Sequence, residues 1–216
     1  TAMAAPEPMQ EEAFAEYHLY TLPRRTTIKQ NQSKQVSLLS ASSVAIDKIY
    51  EYRGNVSIYS SRIPPQTHEN VGVFLKFENS ETNNMGMPLP AGVMRVYQED
   101  SSGMLQFSGE DRIQHTPKDE EVRLRLGNAF DVVAERIQTE YEVLGDNSFI
   151  SAYKITLRNH KDVDVMVDIV EPMPNDWKIL QSSHEFIKKD AQTAIFSVPV
   201  AKDGETVVTY QVRVKY

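Results

Sequence analysis

Every second residue from Val208 to Tyr216 is apolar: Val208, Tyr210, Val212, Val214 and Tyr216 alternate with Thr209, Gln211, Arg213 and Lys215. A period of two places successive side chains on opposite faces of an extended chain, so this segment predicts a strand with one buried and one wet face. Tyr153, Ile155 and Leu157 repeat the pattern against Lys154, Thr156 and Arg158, as do Val71, Val73, Leu75 and Phe77 against Gly72, Phe74, Lys76 and Glu78. Further strands are predicted over 16–22, 34–40, 44–53, 56–60, 93–98, 104–107, 122–126 and 130–143, the last long enough to bend or to pass between two sheets. Pro23 should end the first, and Gly127-Asn128 should end the strand before 130. After Gly145-Asp146-Asn147, turn-forming residues recur at nearly even spacing and separate strands at about 148–159, 163–171, 177–182, 185–188, 192–200 and 205–216. No segment keeps a helical period beyond a turn or two.

The chain is therefore expected to be all-β, built as two packed β units. Its 216 residues, 40% hydrophobic, suffice for one large core or two small ones. Residues 1–13, rich in Ala, Pro, Glu and Gln without periodicity, are expected to be a disordered linker. An N-terminal β domain would follow over 14–128, and an immunoglobulin- or fibronectin-like sandwich of about seven short strands over 129–216. Asp203-Gly204 is the best hairpin signal, because a tight turn needs positive φ and glycine supplies it. Trp177 is expected to fill the space between sheets. Tyr50, Tyr52 and Tyr59 fit packing across strands in the core, the favoured reading, or an exposed aromatic row for a sugar or a partner.

A net charge of -7 changes the picture by exclusion. Holding phosphate backbones takes clustered Lys and Arg, and there is no basic stripe with interleaved aromatics, so nucleic acid is not an expected partner. With no cysteine there is no disulfide, thiolate metal site or thiol nucleophile. No apolar run reaches the roughly 20 residues that span a bilayer as a helix, so no transmembrane segment is expected. The opening Thr1-Ala2-Met3-Ala4-Ala5-Pro6 suggests a fragment of a longer protein.

Candidate chemistry gathers between Glu110 and Glu121. Glu110, Asp111, His115 and Asp119 are carboxylates and an imidazole, the right types for a hard or borderline cation or for acid/base work. Pro117 and the surrounding charges equally describe an exposed loop, with Arg112, Lys118 and Arg123 neutralising the acids, and that reading is favoured. These four residues stand as the possible ligand or partner contacts. Ser183-His184 invites a nucleophile and base, but neighbours on a strand point to opposite faces and should not share a proton. There is no G-x-S-x-G, phosphate-binding loop or zinc signature. No catalytic residue, metal or cofactor is expected.

Three strings carry a family resemblance: Leu89-Pro90-Ala91-Gly92-Val93-Met94-Arg95-Val96-Tyr97, then Phe107-Ser108-Gly109-Glu110-Asp111 with His115-Thr116-Pro117, then Gly127-Asn128-Ala129-Phe130-Asp131-Val132 with Glu135-Arg136. Together they resemble the C-terminal domain of unknown function of the bacterial mucoidy-inhibitor-A-like family, and residues 17–22, 27–28 and 31–36 resemble the part that precedes it. The resemblance implies a periplasmic or otherwise exported cell-envelope protein whose full-length members carry an N-terminal domain and a coiled coil. It implies no reaction. The expected function is a non-catalytic interaction or structural module that meets a protein partner, the N-terminal or coiled-coil part of its own chain, or a second copy. The alternative is a carbohydrate-binding or metal-dependent hydrolase domain using the acidic loop 110–121.

Overall fold

A computed structural model describes residues 10–22, 25–174 and 176–216. Among them are thirteen strands and two short 3-10 turns, and no α-helix, so the all-β expectation holds. The described residues divide into two compact units whose segments interleave along the chain. One holds the residues through Ile46 with Lys76–Met94 and Arg112–Arg123, the other Asp47–Leu75, Arg95–Asp111 and Leu124–Tyr216.

The larger unit is built on one nine-stranded sheet. In chain order its strands are β3 (Asp47–Arg53), β4 (Gln66–Glu78), β7 (Glu121–Gly145), β8 (Ser148–Asn159), β9 (Val165–Pro172), β10 (Asp176–Ser182), β11 (Ile187–Asp190), β12 (Thr193–Val200) and β13 (Gly204–Lys215). Across the sheet they run β10-β13-β8-β7-β4-β3-β9-β12-β11. The sheet curls so that its two flanks face each other, as in a sandwich. Tyr210 of β13 stacks on Phe196 of β12 at 5.4 Å between ring centres, although those strands do not pair. Alternation explains the core. Tyr153, Ile155, Leu157, Val208, Tyr210 and Val212 from one flank, and Val167, Ile169, Phe196 and Val198 from the other, are all buried in a single cluster.

The C-terminal strands stand close to their predicted places, yet the pairing differs. Asp203-Gly204 does not close a hairpin: β12 pairs with β9, while β13 pairs with β8 and β10. The turn carries the chain from one flank to the other, and Asp203, not Gly204, takes the positive φ. Gly127 does not end a strand, because β7 runs unbroken through it with a φ of 140°. Residues 56–60 form a 3-10 turn capped by the Asn55 side chain, which accepts a bond from Ser57 N at 3.0 Å. β3 and β9 are parallel, an arrangement no local pattern announces.

β5 (Gly92–Glu99) and β6 (Leu105–Ile113) form a separate two-stranded ribbon. In the larger unit its return strand meets β7 where Arg125 N donates to Asp111 Oδ2 at 2.7 Å. Gly109 allows that approach: a Cβ there would lie 2.8 Å from Leu126 O.

In the smaller unit, β1 (Gln10–Phe14) and β2 (Tyr17–Thr21) form a hairpin through Ala15 at a φ of 52°. The first nine residues of the expected linker, and Pro23, lie outside the described residues, and residues 10–13 belong to β1. The predicted strand over 34–40 is not formed, because its polar-rich sequence finds no partner strand. Asn79 is the unit's buried node. Its Nδ2 donates to the carbonyls of Met87 and Pro117 at 2.8 Å each, and its Oδ1 accepts from Gly86 N.

Candidate functional site

Four strands of the larger unit align a polar row on their outer face. The register sets Gln181 of β10 opposite Gln211 of β13, Gln211 opposite Ala152 of β8, and Ala152 opposite Glu140 of β7. Both outer strands are bulged immediately before this row, between Ile179 and Gln181 and between Gln138 and Glu140. A bulge adds one residue and re-aims the side chains that follow it. Ala152 contributes only a methyl, so the middle of the row is a trough. Over it Gln211 Nε2 donates to Glu140 Oε2 at 2.7 Å, reaching past the whole of β8.

Beside the row the chain leaves β10 in a bend. Ser183 N donates to Thr209 O and Thr209 N donates to the Ser183 hydroxyl, both at 2.9 Å, which pins the bend to β13. Here the expectation for Ser183 and His184 is corrected. They are not on a strand, and the bend turns both side chains together, with Ser183 Oγ 2.9 Å from His184 Nδ1. The Ser182 hydroxyl donates to the His184 carbonyl. Row and bend line a cavity of about 320 Å³.

The four residues singled out between 110 and 121 have separate partners. Glu110 lies on β6, exposed, and accepts from Arg95 Nε at 3.0 Å. Asp111 accepts from Arg125 N. His115 Nδ1 accepts from Ala91 N at 3.3 Å, and the ring lines a cavity with Tyr17, His18 and Tyr20. Asp119 takes a φ of 64° and its N–H donates to Asn79 O. Lys118 pairs with Glu81 at 2.5 Å rather than with an acid of its own loop. Among the described residues, no three His, Asp or Glu side chains stand close enough to hold a metal ion.

Inside the larger unit the strongest electrostatics are closed to solvent. Arg136 of β7 and Glu171 of β9 are 1% and 0% exposed and meet at 2.5 Å. Arg136 also donates to the hydroxyls of Tyr52 and Tyr210, and Tyr59 donates to Glu171. Burial works against the guanidinium charge, and the Glu171 carboxylate together with Tyr210, Tyr52 and Tyr59 outweighs it, so Arg136 is held protonated well above its usual range. Burial, then the Glu171 charge, raises Tyr59 and Tyr210 well above an ordinary phenol. Tyr50, Tyr52 and Tyr59 are thus core residues, as the favoured reading had them. Trp177 packs half-buried at the core's margin, its Nε1 donating to Ala191 O and Lys188 Nζ 4.6 Å from the ring centre.

The β5–β6 ribbon presents the opposite character. Tyr97, Met104, Leu105 and Phe107 are all more than half exposed, and the Tyr97 and Phe107 rings meet edge to face at 5.7 Å. Of this ribbon only Glu110 and Asp111 are contact candidates from the sequence, although Tyr97 and Phe107 stand in the strings that carry the family resemblance. Its signal was present in the apolar Met104-Leu105-Gln106-Phe107 that follows a Gly turn. The trough left no such signal, since Gln181, Gln211 and Glu140 read simply as wet positions of alternating strands. No family model, curated protein or solved structure matches this chain.

Proposed function

We propose that this chain is a non-catalytic interaction module that binds a protein through the β5–β6 ribbon. The observation that carries this reading is the row of exposed Tyr97, Met104, Leu105 and Phe107 on a ribbon of only two strands. A two-stranded ribbon is marginal by itself in water, and contiguous exposed apolar surface marks interaction sites. Aromatic residues and Met are the types enriched at the centre of protein interfaces, where their large surfaces are desolvated together. The buried Arg136–Glu171 network supports a scaffold role. Its charges satisfy one another within a packed interior and present no group to a substrate.

The setting we infer, an exported protein of the bacterial cell envelope, is supported by the resemblance in the strings around Gly92, Gly109 and Gly127. The immunoglobulin-like reading of the C-terminal strands is supported by their number and spacing.

A photo-crosslinking residue in place of Phe107, compared with one in place of exposed Lys202, tests the ribbon in living bacteria. The expected result is a discrete covalent adduct from position 107 only. An adduct of twice the chain's mass identifies a second copy as the partner, and any other discrete mass a different protein. Equal, diffuse labelling from both positions overturns the reading.

A further inference from the structure

We propose that the trough over Ala152 is a binding site for a neutral saccharide, independent of the ribbon. The cavity's volume, about 320 Å³, lies at the lower end of ligand pockets, which run roughly 300–1,000 Å³. That suits one sugar ring or a short stretch of a glycan. The chemistry of the lining selects the class. Gln181 and Gln211 each offer a carboxamide donor and acceptor, Glu140 offers a carboxylate acceptor, Thr209 offers a hydroxyl that does both, and Ser182 and Ser183, already bonded to His184 and Thr209, add acceptor capacity. Vicinal sugar hydroxyls likewise each donate and accept, so such a row pairs with them without leaving a group unsatisfied. An apolar molecule would strip water from these amides and hydroxyls and return nothing.

Charge narrows the class further. The lining includes one acid and no basic residue, so an anion finds no counter-charge. A single carboxylate falls far short of the 6–8 oxygens a calcium ion takes. An organic cation would have to displace the Gln211 amide from Glu140, so the match is an uncharged, hydrogen-bonding ligand.

The backbone is shaped for the role. Two bulges face each other across the sheet at the same level, and the small residue sits between them. The result is a depression in a surface that plain alternation would leave flat. The Glu140–Gln211 bond holds both side chains over the floor before any ligand arrives, which lowers the ordering cost of binding.

The test is an NMR titration of the ¹⁵N-labelled protein with glucose-, mannose-, galactose- and N-acetylglucosamine-based tetrasaccharides to about 10 mM, a range that reads weak binding. The expected result is that at least one of them shifts the side-chain NH₂ signals of Gln181 and Gln211 with the backbone signals of Ser183 and His184. Ala152→Leu, which fills the floor, and Gln211→Ala, which removes the bridge, should each weaken that response by about tenfold. No shift with any of the four sugars overturns the proposal. So does a response that persists unchanged in both variants, or one centred on Tyr97 and Phe107. The last result would still leave the ribbon reading standing.

Discussion

Glu171 Oε1 accepts from Arg136 Nη2 at 2.5 Å in the closed interior of the larger unit, where Arg136 also donates to the hydroxyls of Tyr52 and Tyr210 and Glu171 accepts from that of Tyr59. The arrangement ties β7 to β9, strands on opposite flanks of the curled sheet, through charge rather than through a ladder. Two buried charges offset their desolvation only when geometry and surrounding hydrogen bonds are both good, as they are here.

Removing one partner strands the other. Glu171→Ala should therefore destabilise the protein by about 3–5 kcal/mol, measured as a lower urea midpoint. The double variant Arg136→Met with Glu171→Leu should cost less than the two single changes added together, because it leaves no orphan charge. A Glu171→Ala loss below about 1 kcal/mol would put the pair in the class of surface ion pairs and remove it as an organising contact.

Gly54 follows from the same geometry. A Cβ built there would lie 2.1 Å from Glu171 Oε2 and 3.1 Å from Arg136 Nη2. Its φ is not in the left-handed region, so the requirement for glycine comes from space and not from backbone strain. Gly54→Ala should cost about 1–3 kcal/mol, the usual range for overpacking. In a Glu171→Ala background much of that cost should disappear, and a double-mutant cycle reads the coupling. Strict additivity would place the conflict elsewhere.

The tyrosines of this network set an alkaline limit. Tyr59 and Tyr210 are raised well above 10 by burial first and by the Glu171 charge second. Ionisation is easier in the unfolded chain, so their contribution is fully present below the unfolded value near 10 and is lost as pH rises beyond it toward the folded one. Ultraviolet titration should accordingly show these two phenols ionising together with loss of the fold. Ionisation of Tyr59 and Tyr210 with the fold intact would contradict the closed interior.

How far this molecule could be read from its sequence follows from how local each determinant is. β8 and β13 were legible because burial alternates residue by residue, and Tyr153 or Val212 announces its face by its own position. The route through Asp203 was not, since turn residues specify a bend and leave open which strand lies beyond it. Here β13 finds β8 and β10 in place of its neighbour β12. Arg136 reads as a wet position next to Glu135, and only the far strand carrying Glu171 makes it core. Ser183 and His184 were misjudged because two hydrogen bonds to Thr209, remote in sequence, fold that segment into a bend. The trough depends on bulges at two strands and on a register across four, which no single segment contains.

The ribbon that carries the proposed interaction depends on its turn, and Asp100 organises it. Asp100 Oδ1 accepts from the Ser102 hydroxyl, Ser102 N and Met104 N at 2.6, 2.9 and 3.1 Å, and Oδ2 accepts from Gln106 Nε2 at 2.9 Å. The Ser102 hydroxyl first, then Gln106 and the two backbone N–H groups, hold its carboxyl well below the usual carboxylate range. With the folded pKa depressed, the contribution is present above the unfolded value near 3.8 and fades only as pH falls toward the folded one. Amide exchange at Met104 should therefore stay slow through mildly acidic pH and quicken only under strongly acidic conditions. Asp100→Ala should quicken it at neutral pH and erase cross-strand contacts between residues 99 and 105, while the melting temperature of the nine-stranded sheet holds. If Asp100→Ala leaves Met104 as protected as before, the turn is held by the backbone bonds between Asp100, Gly103 and Met104, and the carboxylate is dispensable.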